Sequence, residues 1–411
     1  MGFAAVVVTG CGVVSPLGND VETFWKSLCE GKSGVRPISR FDVSGLPVRI
    51  GAQAEEPDFG ETVPRKELAR LPRFARYALW AAMKAREAAG LGEGCGLDPK
   101  RAGAMIGSGL GGMEVFDAAS RALRERGPDR VSPFFIPNAI ANCASGAVSL
   151  RFGWRGPNWS AVSACATGNH NIVCAADQIR AGRADVMLAG AAEEGVCPVA
   201  LAGFSALRAL SARNDDPERA SRPFDRDRDG FVLGEGAAVL VLEREDHARA
   251  RGARILGRLA GCGTGADAWH PVAPDPEGVG AEEAMRLALR EAGIGPGEVG
   301  LVSAHGTSTP LGDLAEARAI RRLFRGERPR VNAAKSMLGH ALAAGSALEA
   351  VACVLSLRDG ILHPNPTLET PDPEIDLDLV GREAVREPVR FVLSNAFGFG
   401  GHNSSLLFAR V

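Results

Sequence analysis

One thiol and two imidazoles in this chain occupy settings suited to chemistry. Cys165 follows a short apolar run at residues 160–164 and is followed at once by Ala166, Thr167 and Gly168, then by a helical pattern over 169–181. A thiol at such a strand-to-helix turn faces the free N–H groups and partial positive charge of a helix N-terminus, which favour a nucleophilic thiolate. The blander alternative, a small buried apolar side chain, fits the other eight cysteines better. Among seven histidines, His305 ends an apolar run in AHGTSTPLGD, and His340 closes KSMLGH just before a helical segment over 342–357. Small residues beside each leave room for a substrate. His170, His247, His270 and His363 lack such settings and read as surface or structural residues. A third turn, NAFGFGGHN at 395–403, carries glycines able to leave backbone N–H groups pointing at a ligand. A thiol, imidazoles and backbone donors are together the parts of acyl-transfer chemistry.

These residues must be held by strands and helices, and the chain alternates the two throughout. Apolar runs at 5–9, 102–106, 160–164, 185–189, 236–242, 299–304, 390–394 and 404–408 read as strands bounded by glycine or proline. Helical patterns occupy 73–89, 169–181, 281–292, 312–324 and 342–357; in the first of them Phe74, Ala78, Ala81, Ala85 and Ala88 form one apolar stripe. Such alternation predicts an α/β protein with mostly parallel sheets covered by helices. The charged segment around 249–257 separates two such series, and no residue-level repeat is evident between them. At 411 residues the chain exceeds what one core usually organises.

Composition excludes several classes. A chain with 45% hydrophobic residues and 23% charged ones is neither disordered nor a coiled coil. A net charge of -2 gives no global field to recruit nucleic acid or an anionic membrane, so a charged partner must meet a local patch. No apolar run reaches the ~18 residues of a membrane span, and no basic-then-apolar leader opens the chain, so a cytoplasmic location without membrane insertion is expected. Nine cysteines without a C-x-x-C pair argue against a disulfide framework and a thiolate zinc site, and no metal is expected.

Two short motifs imitate ligand sites. GSGLGG at 107–112 fits the dinucleotide pattern, yet the acidic residue expected ~20 positions on is represented only by Asp129, so a tight turn is the better reading. DRDRDG at 225–230 resembles the start of a calcium loop, but the twelfth position is Gly236 and the glutamate, Glu235, falls one place early. An ordered structural loop with internal ion pairs is expected there.

SACATG around Cys165, RPFDRDRDGFVLGEG at 222–236, AHGTSTPLGD, KSMLGH, NAFGFGGHN and the opening VVVTGCGVVSPLGN together resemble the β-ketoacyl-acyl carrier protein synthases, most closely the synthase II branch of fatty acid synthesis. The resemblance spans essentially the whole chain. It implies a thiolase-like fold, duplicated βαβαβαβ halves in a five-layer αβαβα arrangement, with residues 1–252 carrying the nucleophile and 253–411 carrying both histidines. It implies a homodimer that takes an acyl chain onto Cys165 and condenses it with malonyl-acyl carrier protein, with loss of carbon dioxide. His305 and His340 match the groups that stabilise the enolate, and Lys335 and Glu349 a buried pair that supports them. The backbone N–H groups of Cys165 and Phe399 match the oxyanion hole, and Phe399, freed by Gly398, matches a gate. Thr307 and Thr309 match hydroxyls that bind pantetheine, and Leu110, Phe135, Ile136 and Phe204 match an acyl pocket. Arg65, Lys66, Arg70 and Arg73 match a docking patch for the acidic carrier. No cofactor is expected on the chain itself, because the phosphopantetheine arm arrives on the carrier.

Ser163, Leu338 and His402 depart from residues usual in the family, and HALAAGSALEA at 340–350 is also similar to ketosynthases of type II polyketide and aryl polyene pathways. A thiolase would need a second catalytic cysteine near the C-terminus, where none follows Cys353; a synthase III would pair the cysteine with histidine and asparagine, where His340 stands here. A silent chain-length-factor-like partner would lack Cys165.

Overall fold

The structure, a computed structural model, describes residues 4–92 and 94–411. Runs such as VVVTGCGVV and VMLAGAAE have no polar alternation, so the strands they form must be covered on both faces. Every residue of β1 (Val6–Val14) is buried. It belongs to a ten-stranded sheet with β2 (Ala102–Gly107), β3 (Val186–Glu193), β4 (Gly236–Arg244), β5 (Gly257–Ala266), β6 (Val299–Ser303), β7 (Arg330–Asn332), β8 (Asp378–Leu379), β9 (Phe391–Gly398) and β10 (His402–Ala409). The spatial order is β8-β7-β6-β9-β10-β5-β1-β4-β3-β2.

Five helices frame the layers: α1 (Arg73–Ala88), α2 (Thr167–Arg180), α3 (Val279–Ala292), α4 (Pro310–Phe324) and α5 (Ala343–Asp359). Helix α1 covers β1 and β4 on one outside and α3 covers β5 and β10 on the other, while α2 and α5 pack together between the two halves of the sheet. The result is five layers. Helix α5 is buried from Ala343 to Leu357; a helix without a polar face has no place except the interior. Among the described residues no helix is long and apolar enough to cross a membrane.

The halves repeat one plan. In the first, β1 pairs antiparallel with β4, β4 antiparallel with β3, and β3 parallel with β2. In the second, β5, β10, β9 and β6 repeat those pairings in the same order. The two sets join where β1 and β5 run antiparallel. A repeat at residue level also exists. Gly10-Cys11-Gly12 in β1 and Gly261-Cys262-Gly263 in β5 each lie under a helix backbone: a β-carbon at Gly12 would overlap the carbonyl of Ala81, and one at Gly263 that of Ala284. Gly10 and Gly261 meet Ala85 and Ala288 in the same way. The signal was present in the sequence as G-C-G followed later by A-x3-A-x4-G, at 81–90 and 284–293.

Two expectations are corrected. The sheet is mixed rather than mostly parallel, because the last strand of each half, β4 or β10, runs against the other strands of that half, and the short 399–401 turn can join β9 to β10 only as antiparallel neighbours. Residues 160–164 form no sheet strand. The N–H groups of Ala161 and Ser163 instead donate to Asn171 Oδ1 (3.0 Å) and Thr167 Oγ1 (2.8 Å), so α2 captures the segment that leads into it. Helix α2 also starts at Thr167, earlier than its apolar pattern indicates.

The glycine contacts give a direct test. Gly12→Ala and Gly263→Ala should each cost about 1–3 kcal/mol through overpacking, seen as an apparent melting temperature several degrees below that of the parent. An unchanged melting temperature would mean that α1 and α3 shift away freely.

Candidate active site

Cys165 is delivered by a strained turn. Ala164 takes φ 49°, a left-handed conformation costly for a residue with a β-carbon. The turn sets the sulfur just ahead of α2, with the Cys165 side chain buried. The first turn of α2 in turn abuts the first turn of α5: a β-carbon at Gly168 would meet the Ala343 carbonyl and the Ala347 nitrogen. Two helix beginnings, one from each half, therefore converge on the same spot.

His340 arrives from the α5 side, at the end of the short helix Lys335–Leu338 and its turn. Its Nε2 lies 3.1 Å from Cys165 Sγ. His305, just after β6, stands edge-on to it with ring centroids 5.4 Å apart. Phe231 packs on His340 at 5.2 Å and Phe397 on His305 at 5.8 Å, so both imidazoles are clamped by aromatic rings.

Behind them lies a buried ion pair. Lys335 Nζ donates to Glu349 Oε1 at 2.5 Å and to the His305 carbonyl at 2.7 Å, and it lies 3.4 Å from His305 Nδ1. An ammonium has only protons to offer. His305 Nδ1 must then accept, which places the ring proton on Nε2. His340 Nδ1 meets no hydrogen-bond partner among the described residues, so no such contact fixes its tautomer. Burial holds both imidazoles well below the ordinary histidine range, with Lys335 adding to the effect for each and His340 adding to it for His305. Both rings are neutral at pH 7. Burial likewise pushes the Glu349 carboxyl up to about 7, against the pull of Lys335.

The sulfur differs from expectation. Burial pushes the Cys165 thiol up to about 12, although Lys335 and the backbone N–H groups of Phe399 and of Cys165 itself act to lower it. Desolvation outweighs the helix N-terminus. The resting group is a thiol beside a neutral imidazole.

Two buried glutamates that support the site carried no obvious sequence signal. Glu316, on α4, accepts from the backbone N–H groups of His305 and Gly306, each at 2.8 Å, and from Asn395 Nδ2 at 3.0 Å. Asn395 accepts in turn from Ser405 Oγ at 2.8 Å. Glu193, at the end of β3, accepts from Ser108 Oγ (2.6 Å) and from the N–H groups of Gly109 (2.8 Å) and Leu110 (3.2 Å). The faint clue was position: a glutamate among small residues on α4, and another at the end of an apolar strand. Glu193 also explains GSGLGG, because the N–H groups that would cradle a phosphate are occupied by its carboxylate.

A cavity of about 390 Å³ opens on Cys165, His305 and His340. Thr307 and Thr309 line it, their hydroxyl oxygens 3.0 Å apart, as do Phe204, Gly398 and Phe399. Leu110 packs into the apolar cluster that contains Cys165 and Phe204. Gly398 is needed for close approach rather than for freedom of movement, since a β-carbon there would lie 2.7 Å from the Ser163 carbonyl and 3.0 Å from the Cys165 nitrogen.

Other expected site residues lie elsewhere. Phe135 meets Phe116 edge to face, centroids 5.1 Å apart, and Ile136 is 63% exposed; within one chain neither lines the cavity, because the short helix Phe135–Ala139 sits on the surface. Arg65, Lys66 and Arg70 are exposed away from the cavity lining. Arg73 is no free docking cation: its guanidinium, largely buried, pairs with Glu114 at 3.2 Å and faces Glu235 at 3.9 Å. Of the remaining cysteines, Cys95 is exposed and Cys29, Cys143 and Cys174 are half-buried, so only Cys11, Cys197, Cys262 and Cys353 are core thiols.

Comparison with known proteins adds to this geometry. The family described as Beta-ketoacyl synthase, N-terminal domain, matches residues 4–248, and its C-terminal domain matches 256–369. The chain is 48% identical over 408 residues to the 3-oxoacyl-[acyl-carrier-protein] synthase 2 of Coxiella burnetii, covering 99% of this chain and 98% of that one. It superposes with TM-score 0.93 and 36% identity on a beta-ketoacyl synthase from Burkholderia phymatum, over 99% of this chain and 100% of that one. A chain from the complex of a type II polyketide synthase acyl-carrier protein with its ketosynthase superposes with TM-score 0.91 and 33% identity, each covered in full.

The raised thiol gives a pH test. Below its pKa the thiolate fraction grows about tenfold per pH unit. Alkylation of Cys165 by iodoacetamide, mapped by peptide mass spectrometry, should therefore accelerate continuously from pH 7 to pH 9. A rate already level at pH 7 would show a resting thiolate and contradict the effect of burial.

Proposed function

The chain belongs to the β-ketoacyl synthase family, and from that premise we propose how its residues carry out the reaction. The reaction is a decarboxylative condensation: an acyl thioester on cysteine joins malonyl-acyl carrier protein, and the acyl chain grows by two carbons. The observation that carries the residue assignment is the contact between His340 Nε2 and Cys165 Sγ at 3.1 Å, with His305 beside it in the same cavity.

In the first step Cys165 Sγ attacks the acyl thioester carbonyl. Its proton passes to His340 Nε2 and leaves on the pantetheine sulfur as the carbon–sulfur bond of the donor breaks. The N–H groups of Cys165 and Phe399, both directed at the sulfur, are suited to hold the oxyanion of the tetrahedral intermediate. In the second step the malonyl carboxylate leaves as carbon dioxide, and its electron pair forms an enolate on the thioester oxygen. His305, whose Nε2–H is set by Lys335, donates to that oxygen, joined by His340 when its proton rests on Nε2. Neutral imidazoles suit this role, since they donate without protonating the enolate. The enolate carbon then attacks the acyl-Cys165 carbonyl; collapse breaks the carbon–sulfur bond, expels the Cys165 thiolate, and a proton from solvent restores the thiol.

Thr307 and Thr309 are placed to hydrogen-bond the pantetheine amides, and Leu110 and Phe204 to line the acyl chain. Phe399, with Gly398 at its back, is the movable wall. The acyl carrier protein is the partner; a relative of known structure is seen with one. We assign Arg65, Lys66 and Arg70 to its docking and place the division between the halves at 252/253, within the charged linker between β4 and β5. No cofactor is needed on the chain, since the pantetheine arm is carried by the partner. A homodimer is supported by exposed apolar residues on the helices Met113–Arg126, Phe135–Ala139 and Cys143–Phe152, including Phe116, Ile136 and Leu150, the last 87% exposed. Phe135 and Ile136 would then reach the neighbouring subunit's acyl pocket.

Purified protein supplied with acyl- and malonyl-acyl carrier protein should yield the β-ketoacyl product. Cys165→Ala should abolish it while malonyl decarboxylation persists, and His305→Ala or His340→Ala should slow decarboxylation by about 10²–10³. Condensation by Cys165→Ala at the parent rate would sink the assignment. Leu150→Glu should lower the sedimentation mass from dimer to monomer, and an unchanged mass would place the interface elsewhere.

A further inference from the structure

The loop at 222–230, with its alternating arginines and aspartates, enters no step of the condensation, yet it belongs to the first half of the chain and packs on the turn that carries His305, Thr307 and Thr309. That turn is strained. Ser308 takes φ 72°, although it has a β-carbon, and Phe224 in the facing loop takes φ 64°. Such conformations persist only where the surroundings over-determine them. Here they do so: the Ser308 N–H donates to Asp313 Oδ1 at 3.0 Å, its hydroxyl accepts from the Arg222 N–H at 2.9 Å, and its carbonyl accepts from the Gly230 N–H at 3.1 Å. The other oxygen of Asp313 accepts from the Phe224 N–H at 2.8 Å, so one carboxyl group holds both strained residues.

Arg228 closes this arrangement. Its side chain is 4% exposed and stands outside the cavity lining. Nη2 donates to the Pro310 carbonyl at 2.9 Å, Nε to the Thr309 carbonyl at 3.3 Å, and Nη1 to Asp372 Oδ2 at 2.6 Å and to the Asp225 carbonyl at 2.9 Å. Nε also lies 3.6 Å from Asp313 Oδ2. A planar guanidinium can address all of these at once, whereas a lysine ammonium reaches fewer. We propose that Arg228 is a positioning residue for the reaction: by tying the carbonyls of Thr309 and Pro310 to the 222–230 loop, it fixes the Ser308 turn and so the paired hydroxyls of Thr307 and Thr309 that receive the pantetheine amides. This rests on the ketosynthase reading and on the assignment of those two threonines.

The experiment compares two acyl donors on wild-type protein, Arg228→Lys and Arg228→Met. One donor is an acyl-pantetheine thioester, which has the amides, and the other is the ethyl thioester of the same acyl group, which lacks them. Acylation of Cys165 is followed by mass spectrometry, and iodoacetamide alkylation of Cys165 reports the state of the sulfur. Wild type should prefer the pantetheine donor. In Arg228→Met that preference should fall about tenfold or more, with ethyl thioester and iodoacetamide rates kept within about twofold, and Arg228→Lys should fall between the two. An unchanged preference in either variant overturns the role of Arg228 alone, as does an equal loss with both donors, the mark of general damage. Should Arg228→Met fail to fold, Arg228→Lys is judged by the same ratio. Wild-type protein that shows no preference overturns the threonine assignment and the role of Arg228 with it.

Discussion

A single buried cation organises the reactive centre. Helix α5 runs through the middle layer without a polar face, and Glu349 is the charge it carries there. Left alone, that carboxylate would be expensive to bury; Lys335 makes it tolerable and is itself tolerated because three acceptors surround it. The consequences spread outward from this pair. The ammonium sets the tautomer of His305, disfavours protonation of both histidines, and draws the thiol of Cys165 downward against burial. Without Lys335, burial alone would hold the two imidazoles neutral, His305 would lose the contact that sets its tautomer, and Glu349 would be left buried without its partner.

The reactive side chains were legible in the sequence because their settings are local. Cys165, His305 and His340 each end a short apolar or small-residue run, and the turns after them are rich in small residues. What eluded the sequence depends on residues distant along the chain. Glu316 and Glu193 look like ordinary helix-surface or strand-end acids until the fold places a row of backbone N–H groups against them. The segment at 160–164 has the composition of a strand, and periodicity has no means of showing that Asn171 and Thr167 take its N–H groups first. The thiol followed the same rule: a helix N-terminus is visible in sequence, whereas the desolvation that outweighs it is a property of everything packed around it.

The resemblance read from six motifs agreed with a fold whose symmetry the same sequence shows only faintly. Two G-C-G tripeptides, each matched to an alanine-spaced helix, are the residue-level trace of the doubling. Hydrophobic pattern does not show them, because the match is one of contact, glycine under carbonyl. The docking patch shows the converse risk: Arg73 falls in a run of basic residues, and only its burial against Glu114 and Glu235 removes it from them.

Cys165 and His340 come from opposite halves, at the beginnings of helices that occupy equivalent places in the doubled plan. The 3.1 Å gap between sulfur and nitrogen is therefore a gauge laid across the seam of the molecule. A tilt of one half against the other, too slight to disturb either core, registers there at once. The seam is thus where the thiol of one half and the imidazoles of the other are held in register, a demand that neither core makes by itself.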